Sequence, residues 1–98
     1  MIREMAHITV RPGAQAAFEA AVEKARPLFE SARGCRHVTL LHQIEDPHEY
    51  VLMVHWDTLE DHTVHFRGSD AFPAWRALVG EHFAKPPHVV HVSFNAYF

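Results

Sequence analysis

Two short runs, Tyr50-Val51-Leu52-Met53-Val54 and Val89-Val90-His91-Val92-Ser93-Phe94, carry apolar side chains on both faces of what read as strands. A strand that covers one core alternates apolar and polar residues, whereas a strand buried on both sides does not. These runs sit in a chain of 98 residues, which has room for a single core. The chain's own helices can cover one face of the sheet. The other face must also leave water, and a second copy related by a two-fold axis is the simplest cover. Residues 1–98 are therefore read as one domain that pairs with itself.

The rest of the chain supplies the elements around these strands. Ile2 to Val10 alternates, with Ile2, Ala6, Ile8 and Val10 on one face and Arg3, Met5, His7 and Thr9 on the other, until Arg11-Pro12-Gly13 stops it. From Ala14 to Ala32, Phe18, Ala21, Val22, Ala25, Leu28 and Phe29 recur at helical spacing. Pro27 lacks the amide that would bond back to Glu23, which predicts a kink or a break. Gly34 is the natural residue to end that helix in a left-handed conformation. Arg36 to Ile44 and Tyr50 to Trp56 read as a hairpin joined through Glu45-Asp46-Pro47-His48.

Thr58 and Asp61 have the spacing of a capping box for a short helix in which Leu59, His62 and Phe66 share a face. Ser69 or Asp70 caps a further helix with the stripe Phe72, Trp75, Val79 and Phe83, and Pro73 is tolerated in its first turn. Lys85-Pro86-Pro87 ends it, and His88 to Phe98 reads as the last strand. The order is α+β, βαββαβ, the ferredoxin-like arrangement with a four-stranded antiparallel sheet. Two such sheets packed face to face give a dimeric α+β barrel.

Composition narrows the partners. The chain is 48% hydrophobic with a formal charge of −3, which fits a folded globular domain, and its Lys and Arg do not cluster, so nucleic acid is not expected. No apolar run approaches the roughly 20 residues needed to span a bilayer, and Met1-Ile2-Arg3-Glu4 does not begin a signal peptide. A cytoplasmic protein without a membrane partner is expected, and the single Cys35 fits a reducing compartment. Ten histidines are the unusual feature, because together they could reverse the sign of the surface charge as pH falls through roughly 6.5.

Three stretches resemble the antibiotic biosynthesis monooxygenase family of dimeric α+β barrels. They are Ile8-Thr9-Val10-Arg11-Pro12-Gly13 followed by Phe18, Pro47 to Trp56, and His62-Thr63-Val64-His65-Phe66-Arg67-Gly68-Ser69 through Phe72 and Trp75. The family contains cofactor-independent oxygenases of polycyclic aromatic phenols, quinol oxidases, haem degraders, an isomerase of a sugar-derived signal and many members of unknown role. The resemblance implies a pocket within each subunit, between helices and sheet. Its walls in this sequence would be His62, Phe66, Phe72, Trp75 and Arg76, with Ala6 and Ile8 from the first strand and Trp56 from the third. Many relatives carry a His, or in haem degraders a Trp, three residues before the Ser, where this chain has Phe66. Haem degraders also have an Asn on the first strand and a ligating His after the Ser, where this chain offers Ala6 and Arg76, so no haem and no other cofactor is expected.

The chemistry that follows is oxygenation in which the substrate itself supplies electrons once a base has removed its proton. A neutral imidazole in an aromatic pocket suits that step, and His62 is the candidate base. The plainer reading is a core histidine bonded to backbone or water. Phe66, Phe72 and Trp75 would form a flat wall for a small aromatic or quinone-like ligand, or simply pack as core. Arg76 would neutralise an enolate or acidic substituent, or pair with Glu81 or Asp70 at the surface. His62 and His65 are three apart but no third ligand is placed, so no metal is expected. His7, His55 and His91 would form a polar cluster if register brought them to one face. A cofactor-independent monooxygenase of a small electron-rich aromatic or quinol is the leading reading; a non-catalytic binding dimer and an isomerase of a small carbonyl compound are the alternatives.

Overall fold

The structure, a computed structural model, describes residues 1–95. Its elements are β1 (Ile2–Thr9), α1 (Gln15–Glu30), β2 (Cys35–His42), β3 (Glu49–Trp56), a π-helical segment (Asp61–Phe66), α2 (Ala71–Val79), a short 3-10 turn (Gly80–His82) and β4 (His88–Val92). The sheet is antiparallel with order β2-β3-β1-β4, so the ferredoxin-like βαββαβ fold expected from the sequence is the one observed.

Register divides the side chains into two sets. Ala6 pairs with Leu52 and Val89, Ile8 with Tyr50, and Glu4 with Val54 and His91. This inner face packs on the two helices, burying Ile8, Tyr50, Leu52, Val54 and Trp56 against Phe18, Ala25 and Phe29 of α1 and Trp75 and Val79 of α2. Each large apolar side chain removed from water contributes roughly 1.5–3 kcal/mol. The outer face carries Met5, Val51, Met53 and Val90, each half-buried, and neither α1 nor α2 packs on it.

Several boundaries differ from expectation for local reasons. Helix α1 runs through Pro27 to Glu30 without a break. Pro27 stands in the last turn, so one missing bond is all it costs, and buried Ala25 and Phe29 hold the turn in place. Gly34 is left-handed at φ +77°, but it lies beyond the helix end at Ser31 and turns the chain into β2. A side chain there would collide with the carboxylate of Asp61. The hairpin strand begins at Cys35, with a bulge between Cys35 and His37, and stops at His42. Helix α2 ends at Val79, so Phe83 lies past it, buried in an isolated bridge to Val10. Strand β4 stops at Val92, short of the expected Phe98, and residues 96–98 lie outside the described part.

The expected capping box forms. The Thr58 amide donates to Asp61 Oδ2 (3.2 Å) and the Asp61 amide donates to Thr58 Oγ1 (3.1 Å). The turn it starts is wider than an α-helix: the Arg67 amide donates to the His62 carbonyl, five residues back, at 3.1 Å. His62 and Phe66 point inward from it, while Leu59, which precedes it, is partly exposed. At the start of α2 the Ser69 hydroxyl accepts from the Ala71 amide at 3.3 Å, and Asp70 makes no side-chain cap.

Candidate functional site

Between the inner sheet face, the π-helical segment and α2 lies a cavity of about 180 Å³. Glu4, Ala6 and Ile8 of β1, Leu52 of β3 and Val89 of β4 form its floor, and His62, Arg67, Phe72, Trp75, Arg76, Phe83 and Pro87 form its walls. Six residues expected from the sequence therefore meet here: Ala6, Ile8, His62, Phe72, Trp75 and Arg76. Two do not line it. Phe66 is buried against Phe29, stacked at 4.8 Å, and Trp56 lies behind His62, stacked on its ring at 5.4 Å and 18°. Trp56 is fully enclosed by core, and Phe66, though buried, gives onto a different hollow. A larger hollow of about 300 Å³ opens on the far side of Phe66, between Leu28 and Ala71. The ionisable groups on its walls, Arg33 and His65, are exposed to solvent, so the buried acid–base chemistry belongs to the smaller cavity.

That chemistry centres on Glu4, which the sequence reading passed over. Glu4 is 5% exposed and shares the inner face with Ala6 and Ile8. The signal was its parity: a carboxylate at an even position interrupts an otherwise apolar face. Trp56 Nε1 donates to Glu4 Oε1 at 3.1 Å, and His62 Nε2 lies 3.3 Å from the same oxygen. His62 Nδ1 is hydrogen-bonded to His91 Nε2 at 2.8 Å. Both nitrogens of His62, itself 2% exposed, are thus engaged by protein groups.

Burial pushes the Glu4 carboxyl up to about 7, against the opposing pull of the Trp56 hydrogen bond and the Arg67 charge. Burial, then Arg67 and His91, lower the His62 imidazole to about 4. The pair has ion-pair spacing, yet desolvation disfavours the charge on each partner, so the contact is a close approach of two groups held towards their neutral forms. His91 is lowered as well, by burial and then by Arg67.

Arg67 and Arg76 stand exposed at the cavity rim. Arg76 lies over the Phe72 ring at 5.9 Å, and neither guanidinium enters an ion pair among the described residues, so Arg76 is not tied to Glu81 or Asp70. His65 is exposed and does not approach His62. Register separates the three strand histidines, with His91 inward opposite Glu4 and with His7 and His55 on the outer face. Among the described residues no group of three His, Cys, Asp or Glu side chains is placed to hold a metal, and no helix is long and apolar enough to cross a membrane. The site is thus a small apolar cavity with one carboxyl–imidazole chain in its wall and two cations at its mouth, an arrangement able to take a proton from a ligand and hold the resulting anion.

Comparison with known proteins places this geometry. The profile of the family described as antibiotic biosynthesis monooxygenase matches residues 1–78. The uncharacterised protein YczJ of Bacillus subtilis strain 168 is 37% identical over 91 residues, covering 93% of this chain and 96% of its own. A crystal structure from Bordetella bronchiseptica, assigned to the same kind of monooxygenase, is 52% identical, covers 97% of both chains and superposes with a TM-score of 0.95. SnoaB, a cofactor-independent oxygenase from Streptomyces nogalater, shares the fold at a TM-score of 0.83 and 17% identity, over 98% of this chain and 94% of its own. With a profile match over most of its length and a relative above a third identical nearly end to end, the chain belongs to the antibiotic biosynthesis monooxygenase family.

Proposed function

We propose that the protein is a cofactor-independent monooxygenase of a small, one-ring phenol or quinol, working as a cytoplasmic homodimer. The observation that carries this reading is the carboxyl–imidazole chain of Glu4, His62 and His91 opening on an apolar cavity. Removing a phenolic proton raises the electron density of the ring, and an electron-rich phenolate can reduce dioxygen with no other electron source. A methylene attached to the ring and activated by the phenolate then becomes a ketone with release of water, while a hydroquinone becomes a quinone with release of hydrogen peroxide. Size sets the substrate class: an apolar cavity of ~150 Å³ accommodates benzene, and this one is about 180 Å³. Phe72 and Trp75 offer a ring surface, and Arg76 at the rim would stabilise the anion.

The bare outer face supports the dimer. Leu41 and Val92 are 42% and 45% exposed beside Met5, Val51, Met53 and Val90, a continuous apolar patch that a lone subunit would leave in water. The thiol of Cys35, pushed up to about 11 chiefly by burial, is held in its unreactive form.

Oxygen uptake with a panel of one-ring hydroquinones and hydroxyaryl methylene compounds tests the reading. Saturable uptake is expected, with ¹⁸O from labelled dioxygen entering the methylene product, and a loss on the order of 100-fold in His62→Ala with the fold retained. Binding without uptake would replace this reading with a binding dimer. A product of unchanged mass formed anaerobically would replace it with an isomerase.

A further inference from the structure

The geometry points to Glu4, rather than His62, as the group that meets the ligand's proton, with His62 and His91 forming the path by which that proton reaches the edge of the sheet. This rests on the reading that the cavity takes a hydroxyl compound. Three observations lead to it. First, an imidazole that takes a proton directly from a ligand needs a nitrogen facing the ligand, and both of His62's face protein: Nε2 towards Glu4 and Nδ1 towards His91. Second, the two oxygens of Glu4 are not equivalent. Oε1 receives Trp56 and adjoins His62, whereas Oε2 takes no hydrogen bond among the described residues. No buried side-chain oxygen or nitrogen among the described residues is left without a partner, so Oε2 is accessible, and the accessible space beside Glu4 is the cavity. Third, His91 stands on β4, the edge strand, half-buried, and so joins the enclosed pair to solvent.

The proton accounting is simple. The ligand's O–H bond breaks and an Oε2–H bond forms on Glu4, the electron pair remaining on the ligand oxygen near Arg67 and Arg76. Glu4 is reionised when its carboxyl turns by half a rotation, carrying the newly protonated oxygen to the His62 side; that proton then passes to His62 Nε2 as the Nδ1 proton of His62 passes to His91 Nε2, and His91 releases one to water. A neutral imidazole carries a single proton, so one of its two contacts donates and the other accepts, and a shift through the ring exchanges them. The 2.8 Å His62–His91 bond is ready for transfer, while the 3.3 Å gap to Glu4 must shorten by a few tenths of an ångström. Trp56 can only donate, so it holds one carboxyl oxygen on the His62 side and leaves the other towards the cavity until the carboxyl turns.

The probe is 4-nitrophenol, a one-ring phenol whose ionised form is coloured, added without oxygen at about pH 7, where Glu4 titrates. The wild-type protein should bind it as the phenolate while the Glu4 carboxyl carbon moves to its protonated position in ¹³C NMR. Glu4→Gln, which keeps the volume and the Trp56 contact, should bind it as the neutral phenol, and Glu4→Asp should restore part of the phenolate. Phenolate in Glu4→Gln equal to wild type, an unmoved Glu4 carbon, or no phenolate in the wild type would overturn the assignment. His91→Asn should leave the equilibrium spectrum and the rate of phenolate formation unchanged but slow the reionisation of Glu4 on the order of tenfold, read from the carboxyl infrared band of the ligand-free protein after a jump from about pH 5 to about pH 8; an unchanged rate of reionisation would remove His91 from the path. Because the probe needs no oxygen, phenolate formation in a protein that never consumes oxygen would sustain this assignment and sink the oxygenase reading.

Discussion

The two faces of the one sheet use the same residue type in opposite ways. On the inner face His91 joins His62 beneath two helices, where desolvation holds both neutral and their nitrogens are committed. On the outer face His55 packs edge-on against His37 at 5.6 Å, and His7 faces His88 at 6.2 Å, flanking an apolar stripe that the two helices leave uncovered. Histidine content by itself therefore says little about chemistry. What covers a histidine decides whether it is a relay inside a cavity or a rim residue around an interface.

The largest effect should come from placing a charge in the middle of the uncovered face. Met53 pairs with Met5 on one side and Thr39 on the other, at the centre of that stripe. If two copies meet here, Met53→Asp buries two unpaired carboxylates at once, and the dimer dissociation constant should rise on the order of 1,000-fold, about 4 kcal/mol. Sedimentation velocity reads this, and circular dichroism should show the subunit still folded, since Met53 is no part of the inner core. A variant as dimeric as the wild type would move the interface off this face.

The inner face offers a test of its own, because its two central groups are shifted in opposite directions. Glu4 is raised by burial from 4.5 to about 7, so the stability linked to its protonated form is complete below the lower value and is lost as pH rises through the upper. His62 is lowered by burial from 6.5 to about 4, so its contribution is present above the upper value and is lost as pH falls through the lower. Between roughly pH 4.5 and 6.5 the two slopes oppose, each worth up to about 3 kcal/mol. Urea unfolding at fixed protein concentration should therefore give diverging profiles. In Glu4→Gln stability should climb across this window, in His62→Gln it should fall, and the wild type should lie between and flatter. Parallel profiles in all three would mean that neither group carries the shift.

The two faces also differ in how much the sequence disclosed. The outer stripe was readable directly, since Tyr50 to Val54 and Val89 to Phe94 break alternation, and alternation is local. So were the capping box of Thr58 and Asp61 and the inward aim of His62, both fixed by spacing along one segment. Glu4 was legible only in part: parity places it inward, but nothing local tells a carboxylate at the end of a strand that a tryptophan from β3 will cover it. His91 was not legible as its partner, because pairing across strands depends on register, and a shift of one residue would have turned it outward with His7 and His55. The family resemblance implied Phe66 and Trp56 as cavity walls. Phe66 instead stacks on Phe29, from an element far back in the sequence, and Trp56 lies behind His62 of the very next element, where the turn between them sets the geometry.

The smallest expected effect refines the outer face rather than breaking it. Arg3 Nε donates to His55 Nε2 at 2.9 Å, so that nitrogen must offer a lone pair, and burial, Arg3 and His37 together lower the imidazole. Protonating His55 removes the acceptor and sets a second positive charge beside Arg3, on a face that the proposed partner must cover. Acidification from about pH 7.5 to about 5.5 should therefore weaken the dimer, on the order of tenfold, as like charges are brought together beneath a partner. His55→Asn should abolish most of this dependence while leaving the neutral-pH affinity within a few-fold, because asparagine still offers an acceptor to Arg3 but cannot gain a proton. If the variant keeps the full dependence, the acid sensitivity lies with His7, His37 or His88 instead. The Arg3–His55 contact would then be a local brace of the strand pair, with no part in how the subunits meet.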